Sequence, residues 1–147
     1  MKLMVLILSL IPAMASAEFC ASHFEGKWKC DMDIFGDEIA IKVIPWGHGL
    51  QGGMIAIVNP KDNVTQMSSP LDYQWTTDPS YYAVRGRCVG GKDSIEIEFK
   101  GREIGFQRTD GKIILEFEEG RENDRDLTMT EFIPKGWEHR ADCKPVK

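Results

Sequence analysis

The chain has 147 residues, a formal net charge of −5 at pH 7 and 42 % hydrophobic residues. That length suits one domain with a core of its own. The acidic balance, with no basic stripe, argues against binding the phosphate backbone of a nucleic acid. At the N-terminus, Met1-Lys2 is a short positive start, residues 3–11 are apolar, Pro12 breaks the run, and Ala15-Ser16-Ala17 is the small-residue pattern before a cleavage site. Residues 1–17 are therefore predicted to be a signal peptide cleaved after Ala17. The run is too short to span a bilayer, and Cys20 comes too late for a lipid anchor. The expected mature chain is a single domain over residues 18–147, secreted or periplasmic, with no membrane span.

The mature part shows no helix-period segment. It shows short runs with period-two alternation, punctuated by Gly, Pro, Asn and Asp. In residues 26–34, Trp28, Cys30, Met32 and Ile34 share one face, with Lys27, Lys29, Asp31 and Asp33 on the other. Ile39, Ile41 and Val43 share a face in the next run, and residues 50–58 form a third. Residues 64–69 are a weak strand. Residues 71–77 and 80–89 are predicted to pair as a hairpin around Asp78-Pro79, with Tyr82, Val84, Gly86 and Cys88 inward. Ile95, Ile97 and Phe99 then alternate with Glu96, Glu98 and Lys100. Residues 104–109 and 112–118 are predicted to be strands joined at Asp110-Gly111, a strong hairpin signal. Residues 119–126 are a charged loop, 127–133 the last good strand, and 134–147 a tail. Eight to ten short strands joined by hairpin-length turns predict an all-β, antiparallel up-and-down barrel, because closure removes the sheet's edges. A two-sheet sandwich is the alternative.

Phe24-Glu25-Gly26-Lys27-Trp28-Lys29, at the start of the first strand, resembles the G-x-W signature that opens the barrel of the calycin superfamily, the lipocalins and fatty-acid-binding proteins. The resemblance implies a lipocalin-like barrel with Gly26 and Trp28 as structural residues. Trp28 would lie across the closed end, and a basic residue, Lys135 or Arg140, would pack on its ring. It also implies a small apolar or amphipathic ligand in the interior.

Four cysteines after a signal peptide read as two disulfides with three possible pairings. Inward parity favours Cys30–Cys88, and apposition of the first and last strands favours Cys20–Cys143. No C-x-x-C spacing supports a metal or redox site. His23, His48 and His139 lack ligand spacing, and no nucleophile, base and acid stand in a recognisable order. No enzyme, cofactor or metal is expected.

The aromatics carry the functional lead. Tyr73, Trp75, Tyr81 and Tyr82 cluster on the central hairpin, with Trp46 in a nearby loop. Trp75, Tyr82, Phe99, Phe106, Arg108 and Phe117 are the candidate ligand-binding residues. Arg108 falls on the inward parity of Ile104 and Phe106, where it could pair with a ligand carboxylate. The expected function is binding of a small hydrophobic molecule inside the barrel. The alternative is a protein-binding module or inhibitor that uses the aromatic hairpin, or an acidic loop from Glu116 to Asp126 that docks a basic partner.

Overall fold

A computed structural model describes residues 20–44, 53–76, 82–89, 94–117, 126–134 and 136–147, with Cys20 described in its backbone alone. The leader, Trp46, His48, Tyr81, Lys135 and the acidic loop at 118–125 lie outside these residues.

A short 3-10 helix, Cys20–Phe24, leads into nine strands: β1 (Gly26–Cys30), β2 (Glu38–Ile44), β3 (Met54–Val58), β4 (Thr65–Pro70), β5 (Ala83–Val89), β6 (Ser94–Ile104), β7 (Gln107–Phe117), β8 (Leu127–Ile133) and β9 (Trp137–Pro145). Each pairs antiparallel with its neighbour, and β1 also pairs with β9, so the sheet runs β4-β3-β2-β1-β9-β8-β7-β6-β5. The result is a nearly closed, nine-stranded up-and-down barrel of lipocalin-like topology. Among the described residues, the sheet stays open at a seam between β4 and β5.

Alternation drives the closure. Ile39 and Ile41 of β2, Ile55 and Ile57 of β3, Ile95, Ile97 and Phe99 of β6, Ile113 and Leu115 of β7, and Leu127 and Met129 of β8 are all buried in one core cluster. An open sheet would leave this face in water. Rolling it up removes the apolar surface and pairs the terminal strands together. Trp28 is 5 % exposed, and its Nε1 donates to the Phe24 carbonyl at 3.1 Å. Phe24 stacks on Phe117 at 4.4 Å between centroids, and Phe117 lies 6.0 Å from the Trp28 ring. Gly26 permits this start, because its φ of +149° suits a residue without a Cβ. Arg140 donates instead to Asp142 Oδ1 at 3.3 Å.

Four expectations are corrected. The tail at 134–147 contains β9, which is held by ladders on both sides although only Ala141 and Cys143 are buried along it. Asp110-Gly111 lies within β7, and the β6–β7 turn is Gly105-Phe106. The Asp side chain serves a bulge instead. Gly101, at φ +71°, shifts the β6–β7 register between Phe99 and Arg102, and its N–H donates to Asp110 Oδ1 at 2.9 Å. Residues 71–76 form a bent strap rather than a strand. Tyr73 N–H donates to the Gly86 carbonyl at 2.9 Å, and Thr76 N–H to the Val84 carbonyl at 2.9 Å.

The fourth correction concerns the disulfides. Cys30 is bonded to Cys143, with their Cα atoms 4.0 Å apart, so neither Cys30–Cys88 nor Cys20–Cys143 forms. The β1–β9 register sets Cys30 directly opposite Cys143, whereas Cys88 lies on β5, the edge strand of the sheet, and is exposed. Cys88 is disulfide-bonded as well. Cys30 and Cys143 are separated by 113 residues in sequence, so their link constrains a long loop of the unfolded chain. Replacing both with Ala is expected to lower stability by roughly 4–5 kcal/mol. Denaturant melts would measure this loss, and an unreduced digest should yield Cys30 linked to Cys143.

Candidate functional site

The six candidate binding residues do not converge. Phe99 and Phe117 are core residues, and water-sized volumes do not reach Ile95, Ile97, Ile113, Leu115 or Leu127 beside them, each 0 % exposed. At their level the barrel is filled by its own side chains.

Among the described residues Arg102 faces inward, which parity alone misses because the Gly101 bulge shifts the face of the β6 residues after it. Arg102 Nη1 donates to Glu131 Oε1 at 2.6 Å, and its guanidinium lies 4.7 Å from the centroid of Phe35 and 5.3 Å from that of Phe99. Glu131 is 4 % exposed, and His139 Nδ1 stands 3.4 Å from its Oε2. Glu131 was legible as inward, since it follows Leu127 and Met129 at period two. Both charges of the pair are thus committed to each other within the fold.

Tyr82 sits at the seam. Its hydroxyl donates to the Gln66 carbonyl at 3.2 Å and so ties β5's leading edge to β4. Gln66 is the extra residue of a bulge between the pairs Ile57↔Met67 and Val58↔Thr65. Burial pushes the Tyr82 hydroxyl up in pKa, partly offset by the charge of Arg102, and keeps it a protonated donor. Val64, Gln66, Met67, Thr76, Tyr82 and Val84 border a groove of about 600 Å³ along this seam. At the other end the seam is pinched shut. A Cβ on Gly86 would stand 2.9 Å from both the Pro70 carbonyl and a Leu71 methyl, so glycine allows the close approach.

Trp75 belongs to a stack on the outer face of β5 and β6. The Arg85 guanidinium lies 4.1 Å from the Tyr73 centroid and 4.5 Å from that of Trp75, and Lys100 Nζ lies 4.3 Å from the Trp75 centroid. Arg87 covers Tyr73 at 4.6 Å and bonds Glu96 at 2.9 Å. Glu98 receives Arg85 Nη2 at 2.6 Å and the Tyr73 hydroxyl at 3.1 Å. Tyr73 is held at φ +57°, an unusual conformation for a bulky residue, by these contacts.

Phe106 and Arg108 are brought together on the outside. Both were expected inward, but placing the turn at Gly105-Phe106 puts Phe106 at its tip, fully exposed, and leaves Arg108 exposed. Trp137, at the start of β9, is 65 % exposed. Sequence reasoning missed it because residues 134–147 read as a tail. Phe106, Arg108 and Trp137, with Ile104, Ile133 and Pro134, line a groove of about 710 Å³. The β6–β7 and β8–β9 turns meet there because alternate connections of a meander fall at one end of the sheet.

Comparison with known protein families, curated proteins and solved structures found no match to this chain. Among the described residues, no three His, Cys, Asp or Glu side chains gather as a metal site, and no helix is long and apolar enough to cross a membrane.

The stack generates a pH prediction. Burial opposes ionisation of Glu98, but hydrogen bonds from Arg85 and Tyr73 and the charges of Arg85 and Arg87 outweigh it, and its pKa is lowered. A depressed carboxylate stabilises the fold above its unfolded pKa, and the contribution disappears as pH falls through the folded value. Glu98→Gln is expected to destabilise the protein by about 1 kcal/mol at pH 7. The difference from wild type should shrink as pH falls below the usual glutamate range. Thermal melts across pH 2–7 check both the sign and the window.

Proposed function

We propose that this chain is exported with loss of residues 1–17 and that its barrel works as a binding module for a protein partner, engaged through the hairpin tips carrying Phe106 and Trp137. The observation that carries this reading is their exposure. Two large aromatic side chains stand in water around one groove, while the apolar residues of the barrel interior are sealed. Exposed aromatics beside an arginine, on short hairpins of a rigid sheet, have the composition and pre-organisation of a binding hot spot. The Cys30–Cys143 bond supports export, since such bonds persist in oxidising compartments.

A photo-crosslinking residue at Gln107 is expected to give discrete adducts in the native host. Phe106→Ala and Trp137→Ala should each weaken the captured interaction at least tenfold, with melting temperatures close to wild type because neither ring contributes to the core. Adducts that persist unchanged in the double variant would end this reading.

The seam groove favours a second reading, binding of a small amphipathic molecule. Its volume lies within the range of small-molecule sites. Met67 and Val84 give it an apolar floor, and Tyr82, Gln66 and Thr76 give it polar groups without charge. A ligand in the lumen proper would have to displace the sealed isoleucines. On this second reading, native mass spectrometry shows a co-purified neutral molecule that is lost from Val84→Trp. A mass equal to the bare polypeptide rules it out.

A further inference from the structure

The groove at the hairpin tips continues beyond them. Asp110, Ile133 and Pro134 line both it and a second groove, about 470 Å³, that passes Lys112 and Phe132 to reach Trp75 and Lys100. Together they form one track that runs from the barrel rim, where Ile104, Ile133 and Trp137 carry the inward parity, onto the outer face of β6, β7 and β8. Both grooves are aromatic, with Trp137 and Phe106 in the first and Phe132 and Trp75 in the second.

The track also runs against the charge of the whole protein. The chain as a whole is at −5, yet Arg108, Lys112 and Lys100 border this surface. Its carboxylates are already engaged: Glu98 by Arg85 and Tyr73, and Asp110 by the Gly101 N–H. Lys112 shares Glu96 with Arg87, at 3.7 Å. Among the described residues, Arg108 and Lys100 form no ion pair, although Arg108 stands opposite Glu103 in the β6–β7 register. Arg108 and Lys112 share the outward parity of β7, four residues apart. That spacing is about 13 Å, the length of about four residues of extended peptide.

Resting on the partner-binding reading above, we propose that the track receives an extended acidic segment of the partner protein. Its carboxylates pair with Arg108 and Lys100, and its apolar side chains lie against Phe106 and Trp137. Charge complementarity selects the sign of the partner and speeds encounter, while the aromatic contacts supply the slow dissociation. A peptide is favoured over an acidic polysaccharide because the tip half of the track is built from Ile104, Phe106, Ile133 and Pro134, which offer apolar contact rather than hydrogen bonds to hydroxyl groups.

The experiment uses the exported, oxidised protein and three fluorescent twelve-residue peptides alternating Trp with Glu, Gln or Lys, read by anisotropy at low and high salt. The acidic peptide should bind at least tenfold tighter than the neutral one and weaken with salt, and the basic one should not bind. Lys100→Glu with Arg108→Glu should abolish the preference for acid, so that the acidic peptide binds no tighter than the neutral one. Phe106→Ala with Trp137→Ala should weaken acidic and neutral peptides alike. Equal binding of acidic and neutral peptides overturns the acidic-partner inference while leaving the tips as a binding surface. Insensitivity of all binding to Phe106→Ala and Trp137→Ala overturns the tip reading beneath it. Binding of heparin with no binding of any peptide assigns the track to a polyanionic glycan and also overturns the proposal.

Discussion

The pairing of β1 with β9 is the constraint on which the rest depends. A nine-stranded meander has two open edges, and each exposes a row of unsatisfied backbone groups. Joining the first strand to the last puts the outer edges of both into a ladder, and Cys30–Cys143 locks that ladder at the point where the residues face each other. It also turns a flat apolar face inward, so that Ile39, Ile57, Ile97, Ile113 and their neighbours meet across the barrel axis. The edge problem is not abolished but moved. It reappears between β4 and β5, where the strap at residues 71–76 supplies hydrogen bonds to Val84 and Gly86, and the Tyr82 hydroxyl spans the remainder.

The packed core leaves the proposed recognition to the seam, the rims and the outer face. Small barrels can hold a ligand or pack solid, and here Phe99, Arg102 and Phe35 occupy space that a ligand would need. A two-residue turn such as Gly105-Phe106 has little freedom, so a ring at its tip is offered with little entropy left to lose on binding. The same economy applies to Trp137, which emerges from the opposite side of one groove at the start of a strand paired to β8.

Much of this architecture was legible in the sequence because period-two alternation survives burial on one face. Residues 94–100 alternate apolar with polar side chains, and their strand, its orientation and its place in the core all follow. Trp28 falls on the inward parity of the first strand and is buried there. The failures share a cause: each depended on a contact distant in sequence. Asp110-Gly111 looks like a turn from its own two residues, and only its pairing with Gly101 across the ladder makes it part of a bulge. That bulge turns Arg102 inward, and the turn at Gly105-Phe106 leaves Arg108 outward. β9 carries too few apolar residues to announce itself, and its stability comes from main-chain pairing on both sides. With β9 read as a tail, Cys143 had no register, so its partner could not be identified. Trp137 was lost with it.

The strap and the aromatic stack make the two surface sites interdependent. Tyr73 donates its N–H to Gly86, which helps to close the seam, and places its ring between Arg85 and Arg87 on the outer face. It does so from a left-handed backbone conformation that costs roughly 1–3 kcal/mol for a non-glycine residue. That strain is sustained by Glu98, which holds both the Tyr73 hydroxyl and Arg85. A perturbation of Glu98 therefore acts at two places. It frees Arg85 from beside Trp75 at one end of the track, and it loosens the strap that pins β5 against β4. The carboxylate is the point at which the outer face of the barrel and its incomplete closure are mechanically joined.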